Sequence, residues 1–64
     1  MNAYEMMAND IEKAIEIADS NIDFIIVNGG TQEVRRAARN VEKAVGDLFL
    51  KLEELIREIQ ILDN

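Results

Sequence analysis

Four carboxylates in the first half of the chain follow one another at helical spacing: Glu12, Glu16, Asp19 and Asp23. Intervals of four, three and four residues place them on one stripe of a helix, where carboxylates could hold a metal ion or another cation. Dinuclear carboxylate sites in helical bundles turn their glutamates inward and add histidine, whereas this stripe lies on the outer side of its helix. We interpret it as a solvated face and expect no metal site and no cofactor.

Residue types that carry out nucleophilic catalysis are nearly absent from the chain. It contains no histidine and no cysteine, and Ser20 is its one serine. No set of nucleophile, base and orienting group can be assembled from these side chains, so we expect no enzymatic activity and no catalytic residue. Gly29 and Gly30 precede a helix, but their spacing fits neither the dinucleotide-binding loop nor the P-loop, and they are better explained as a turn.

A basic cluster gives residues 31–46 a net charge of +2, from four basic and two acidic residues, in a chain with a net charge of −6. Its members are Arg35, Arg36, Arg39 and Lys43. Positive charge at the start of a helix opposes the macrodipole and calls for compensation. If the chain folds back at Gly29, Arg35 comes near Asp23 and Arg39 near Asp19. A regulator that contacts nucleic acid through this cluster is the alternative function.

The elements that must position these residues are two long helices. Apolar residues recur at alternating intervals of four and three, the pattern of a coiled-coil seam, on both sides of Asn28-Gly29-Gly30. The upstream series is Tyr4, Ala8, Ile11, Ile15, Ala18, Ile22 and Ile25. The downstream series is Val34, Ala38, Val41, Val45, Leu48, Leu52 and Leu55, continued by Ile59 and Leu62. Folded back at the turn, the two series come into register, so that Ile11 meets Leu48.

We therefore predict an all-α fold, an antiparallel helical hairpin that occupies residues 1–64 as one domain. Helix 1 is expected at about 2–27, the Asn-Gly-Gly turn at 28–30 and helix 2 at about 31–62. Asn2 and Thr31 are the expected N-caps, and the glycines are expected to supply a left-handed conformation that ends helix 1. In this register Ile56, Ile59 and Leu62 extend past helix 1.

Two other structures remain open at this point. Residues 22–27 are rich in β-branched and aromatic side chains and could form a strand that pairs with another chain. The C-terminal halves of helix 2 could also pair in parallel, with the hairpin retained near the turn. Val45 and Ile59 at a positions favour parallel dimers when leucine occupies the d positions, as Leu48, Leu55 and Leu62 do here. The mid-helix Gly46 marks a kink, a close approach of a partner, or an exposed position where glycine is tolerated.

Size and charge narrow the class of partner. A chain of 64 residues without cysteine or a histidine–cysteine metal set has little core of its own, so oligomerisation is the remaining source of stability. Thirteen acidic against seven basic residues argue against general binding to nucleic acid or to an anionic membrane.

The sequence also bears on the location of the protein. The longest apolar run, residues 24–27, is too short to span a bilayer, and residues 1–5 lack the features of a signal peptide. A cytoplasmic location is expected.

Apolar residues outside the seam are the candidate interface. With Ile11 and Leu48 as d positions, small side chains occupy the g edge, and further apolar residues lie on the e edge, on the outer face of helix 1 and at the end of helix 2. The set is Met7, Ala14, Ile17, Phe24, Ala37, Ala44, Phe49, Ile56, Ile59 and Leu62. We expect a homodimeric four-helix bundle, with a different helical protein as the other possible occupant. The predicted function is that of a small adaptor, a chaperone-like protein or an accessory regulator.

Overall fold

The computed structural model describes residues 2–63, with side chains through Leu62, and contains two helices. Helix α1 spans Ala3–Asn28 and helix α2 spans Gln32–Asp63. Each observed bound lies one residue later in the chain than the predicted one. Residues 2–63 contain no strand, so the all-α prediction is confirmed.

Both predicted N-caps are confirmed. The Asn2 Oδ1 atom accepts a hydrogen bond from the Glu5 backbone N–H at 2.8 Å. The Thr31 Oγ1 atom accepts one from the Val34 N–H at 3.1 Å. The first N–H groups of a helix have no partner inside the helix, and these two side chains supply one.

The strand alternative for residues 22–27 is wrong, because the whole segment lies within α1. Ile22 is buried there. The β-branched residues keep the four-and-three spacing of the preceding turns, so continuing the helix keeps Ile22 on the face that packs against α2. Burial of that face outweighs the local preference for a strand.

The two helices run antiparallel, with their core along one line of contact. Ala8, near the start of α1, belongs to the same buried cluster as Ile59, near the end of α2, and Ile15 and Leu52 lie between them. Val45 and Ile56 pack against this cluster. The molecule is a slab of 50 × 16 × 10 Å, one helix thick and two helices wide.

The turn does not use the left-handed conformation that the sequence predicts. Gly29 has φ −57° and ψ 132°, and no glycine among residues 2–63 has a positive φ. Crowding is what requires a glycine here. A Cβ atom at Gly29 would lie 2.6 Å from the Ile25 carbonyl oxygen and 3.2 Å from side-chain atoms of Val34 and Arg35. Gly29 therefore lets the chain pass close to both helix ends.

We expect Gly29→Ala to destabilise the hairpin by about 1–3 kcal/mol, because the added methyl group meets a backbone oxygen that cannot turn away. The matched control is Gly30→Ala, where a Cβ atom would meet nothing within 4 Å. The control should stay within about 0.5 kcal/mol of the unaltered protein. Urea denaturation followed by circular dichroism measures both, and equal effects would contradict the crowding argument.

Candidate interaction surface

The contact between the helices uses the a positions of the predicted seam. Six of these residues are each no more than 8 % exposed: Ala8, Ile15, Ile22, Ala38, Leu52 and Ile59. Val45, the remaining a position, is half-buried. Several e positions are also half-buried beside them, namely Glu5, Glu12, Ile26, Arg35 and Ile56. The hairpin is thus closed through its a and e positions.

The d positions of the same seam are about half exposed. We call these nine residues the d stripe: Tyr4, Ile11, Ala18, Ile25, Val34, Val41, Leu48, Leu55 and Leu62. Ala18 is half-buried, and the other eight are between 41 % and 73 % exposed. The structure therefore divides the predicted seam into an a half that closes the hairpin and a d half that borders the contact.

The geometry of a helix pair explains this division. Positions a and e are neighbours around a helix, and d lies on the other side of a, so one neighbouring helix centred between a and e leaves d at the edge. Because α1 and α2 are antiparallel and bury the same positions against each other, their d positions emerge on the same side of the slab. The d stripe is therefore one continuous apolar surface along the hairpin.

The residues that flank the d stripe are small or uncharged along most of its length. Ala14, Ala37 and Ala44 at g positions are exposed, and so is Met7. Lys51 and Glu58 are the charged residues at g. The nine residues of the d stripe contain no charge at all. This surface is available, apolar and nearly free of ionisable groups.

The other residues of the candidate interface are divided among several places. Ile17 and Phe24 are exposed on the outer face of α1, and Phe49 is exposed on α2. Ile59, in contrast, is 6 % exposed and packs in the cluster with Ala8, and Ile56 is half-buried against it. The expectation that Ile56 and Ile59 extend past helix 1 is corrected here. Side chains tilt towards the start of their own helix, which for α2 means towards the turn, so Ile59 reaches back beneath α1.

The basic cluster is not a single patch of free cations. The Arg35 guanidinium donates a hydrogen bond of 2.6 Å to the Gly29 carbonyl oxygen and is half-buried. Its partner in the structure is thus the backbone of the turn and not Asp23, as the register suggested. Arg36, Arg39 and Lys43 are exposed. The sequence could not show this, because a carbonyl acceptor leaves no trace in the pattern of charges.

The opposite side of the slab is acidic and holds an open groove of about 870 Å³ near Gly46. Its walls combine apolar residues such as Ile15 and Phe49 with Glu16, Asp19 and Glu42.

Helix α2 runs unbroken through Gly46, where a Cβ atom would meet nothing within 4 Å. Within the described part of the chain, no group of three acidic side chains is placed to hold a metal ion.

Exposed apolar residues that the periodicity did not single out are Met6, Val27, Leu50 and Ile61. All four lie outside the a, d, e and g positions of their helices. Nothing in the heptad pattern distinguishes them from residues tolerated at the surface. Scattered apolar residues of this kind are common on proteins and carry no site by themselves.

No helix within residues 2–63 combines the length and apolarity needed to cross a membrane. Protein-family models, curated proteins and solved structures yield no match to this chain. Function must therefore be argued from the surface itself.

We expect Arg35→Ala to lower the free energy of unfolding by about 0.5–1.5 kcal/mol, because the Gly29 carbonyl oxygen loses its donor. Arg36→Ala is the matched control, since Arg36 is an exposed arginine one residue away. It should change stability by less than about 0.5 kcal/mol. Thermal denaturation at matched protein concentration compares the two. A larger loss of stability from Arg36→Ala than from Arg35→Ala would contradict the structural role given to Arg35.

Gly46→Ala should stabilise the protein by about 0.5–1 kcal/mol, because alanine is the better helix former and the added methyl group meets open space. Chemical denaturation at several protein concentrations provides the measurement. A concentration-dependent loss of stability would instead show that a second chain approaches the backbone at Gly46 in the assembled protein.

Proposed function

We propose that this chain is a non-enzymatic protein–protein interaction module, a small helical hairpin that acts as a self-associated dimer. In the dimer the d stripes of two copies form the core of a four-helix bundle. The assembled bundle would serve as an adaptor, a chaperone-like protein or an accessory regulator. The observation that carries this proposal is the d stripe, an uncharged apolar surface that one hairpin leaves in solvent.

The dimensions of the hairpin suit this role. Its broad face is 50 Å long and 16 Å wide, so two copies could pack along the whole length of the d stripe. Eight of the nine residues of that stripe are exposed large apolar residues, and a monomeric protein rarely leaves such a continuous stripe uncovered. A bundle of four helices would also bury both the a and the d positions of every helix, as the four-and-three spacing requires.

A second copy is favoured over an unrelated partner because the surface matches itself. It presents uncharged and mostly aliphatic residues along both helices, and a two-fold interface needs only one self-complementary patch. A different helical protein on the d stripe is the other outcome that the test below can reveal. In that case the purified hairpin would remain a monomer.

Contact with nucleic acid through the basic cluster has less support in the geometry. Arg35 is held at the turn by Gly29, and the exposed Arg36, Arg39 and Lys43 stand in a chain whose net charge is −6. No aromatic side chain lies among them for stacking on bases. Such binding would depend only on the attraction between these basic side chains and phosphate groups, and the negative net charge of the chain opposes that attraction.

We expect Leu48→Asp to weaken self-association by at least about 100-fold, since it places a carboxylate in the middle of the d stripe where it would lose its water. Helicity should fall together with the mass of the assembly at low micromolar concentration, because the hairpin has little core of its own. Light scattering and circular dichroism across a concentration series give the two readings.

The matched control is Leu50→Asp, the same substitution two residues further on. Leu50 is 62 % exposed and lies outside the d stripe, so this variant should keep both its mass and its helicity. If Leu48→Asp retained the dimer mass and full helicity, the d stripe would not be the interface. If the unaltered protein had the mass of a single chain, self-association itself would be disproved.

A further inference from the structure

The d stripe has an internal symmetry that bears on how two copies meet. On α2, Val41 and Leu55 lie one heptad on either side of Leu48, and Val34 and Leu62 lie two heptads away. On α1 the four d positions are symmetric about the midpoint between Ile11 and Ala18. Counted from the turn at 1.5 Å per residue, these two centres of symmetry differ in height by roughly 4 Å. One axis perpendicular to the helices can therefore pass close to both.

We infer that two copies pack through their d stripes with their turns at opposite ends of the bundle, related by a two-fold axis near Leu48. This inference rests on the proposed self-association and specifies its geometry. The axis sets α1 against α1 of the second copy and α2 against α2, each pair antiparallel. Leu48 then faces its own counterpart, Val41 faces Leu55, and Val34 faces Leu62.

The end of α2 favours this arrangement. Leu62 is 73 % exposed in the hairpin, more than any other residue of the d stripe. With turns at opposite ends it packs against Val34 of the second copy. With turns at the same end, α2 would face α1 of the second copy, and Leu62 would lie several ångströms past the start of that helix. Only the first arrangement covers the d positions of α2 along their whole length.

Helix α1 can meet its own copy without strong repulsion although it is acidic. Of its six acidic residues only Asp10 lies at a c position, next to the g edge of the d stripe, and the others occupy b and e positions towards the opposite face. Ile11, Ala14 and Ala18 lie near the axis on α1. The two alanines there leave room for the helices to come close together.

Spin labels test the arrangement cleanly, because the chain has no cysteine of its own. We choose three variants with a single cysteine each, at exposed positions of α2 away from the d stripe: Arg36→Cys, Lys43→Cys and Gly46→Cys. With turns at opposite ends, the two labels of a dimer are separated along the bundle by roughly 36, 15 and 6 Å respectively. With turns at the same end, this axial separation is zero for all three, and only the width of the bundle remains, on the order of 20 Å.

We expect dipolar electron spin resonance to give the longest distance for Arg36→Cys and a steady decrease through Lys43→Cys to Gly46→Cys. Three similar distances would overturn the inferred arrangement and leave the dimer itself standing. An absence of dipolar coupling in all three, with a single-chain mass by light scattering, would refute self-association as well. Circular dichroism confirms that each labelled variant is folded, and the three positions make the result independent of any one substitution.

Discussion

The structure depends on one geometric constraint: two helices touch along a single line. The apolar seam of each helix comprises its a and d positions, but the neighbouring helix is centred on the far side of a, between a and e. The buried residues are accordingly all a positions, and several of the half-buried residues are e positions. The d positions are left at the edge of the contact. An exposed apolar stripe follows from this placement, because the described residues form only two helices.

The turn decides which positions face each other, so it also decides where the d stripe appears. Gly29 passes so close to Ile25 and Val34 that a side chain would not fit, and Arg35 binds the Gly29 carbonyl oxygen from the start of α2. Together these contacts tie the end of α1 to the first turn of α2. With the turn held in this way, the antiparallel helices place both sets of d positions on one side. A looser turn would let α2 rotate about its axis and separate the two halves of the stripe.

The sequence was sufficient to predict both helices, their caps and their antiparallel course, because capping residues and heptad spacing act locally. It was not sufficient to predict how the seam divides. Ile11 and Ile15 look alike in the pattern, since a residue buried within its own hairpin and one buried by a second copy obey the same spacing. The sequence also predicts the wrong backbone conformation for Gly29, because a crowded position and a left-handed φ both favour glycine. Ile59 was placed past helix 1 because residue counting ignores the tilt of side chains along a helix.

The two faces of the slab differ in a way that separates assembly from any further recognition. The d stripe carries no charge, whereas the opposite face holds Glu16, Asp19 and Glu42 around the groove at Gly46. Apolar surface gives association that is insensitive to salt, while charged surface gives selectivity and faster encounter. If the d stripe is used by a second copy, any other partner must be chosen by the charged faces and by the exposed Ile17 and Phe24. Self-association would then display two copies of each of these surfaces, and a bivalent partner would bind the dimer far more tightly than a single hairpin.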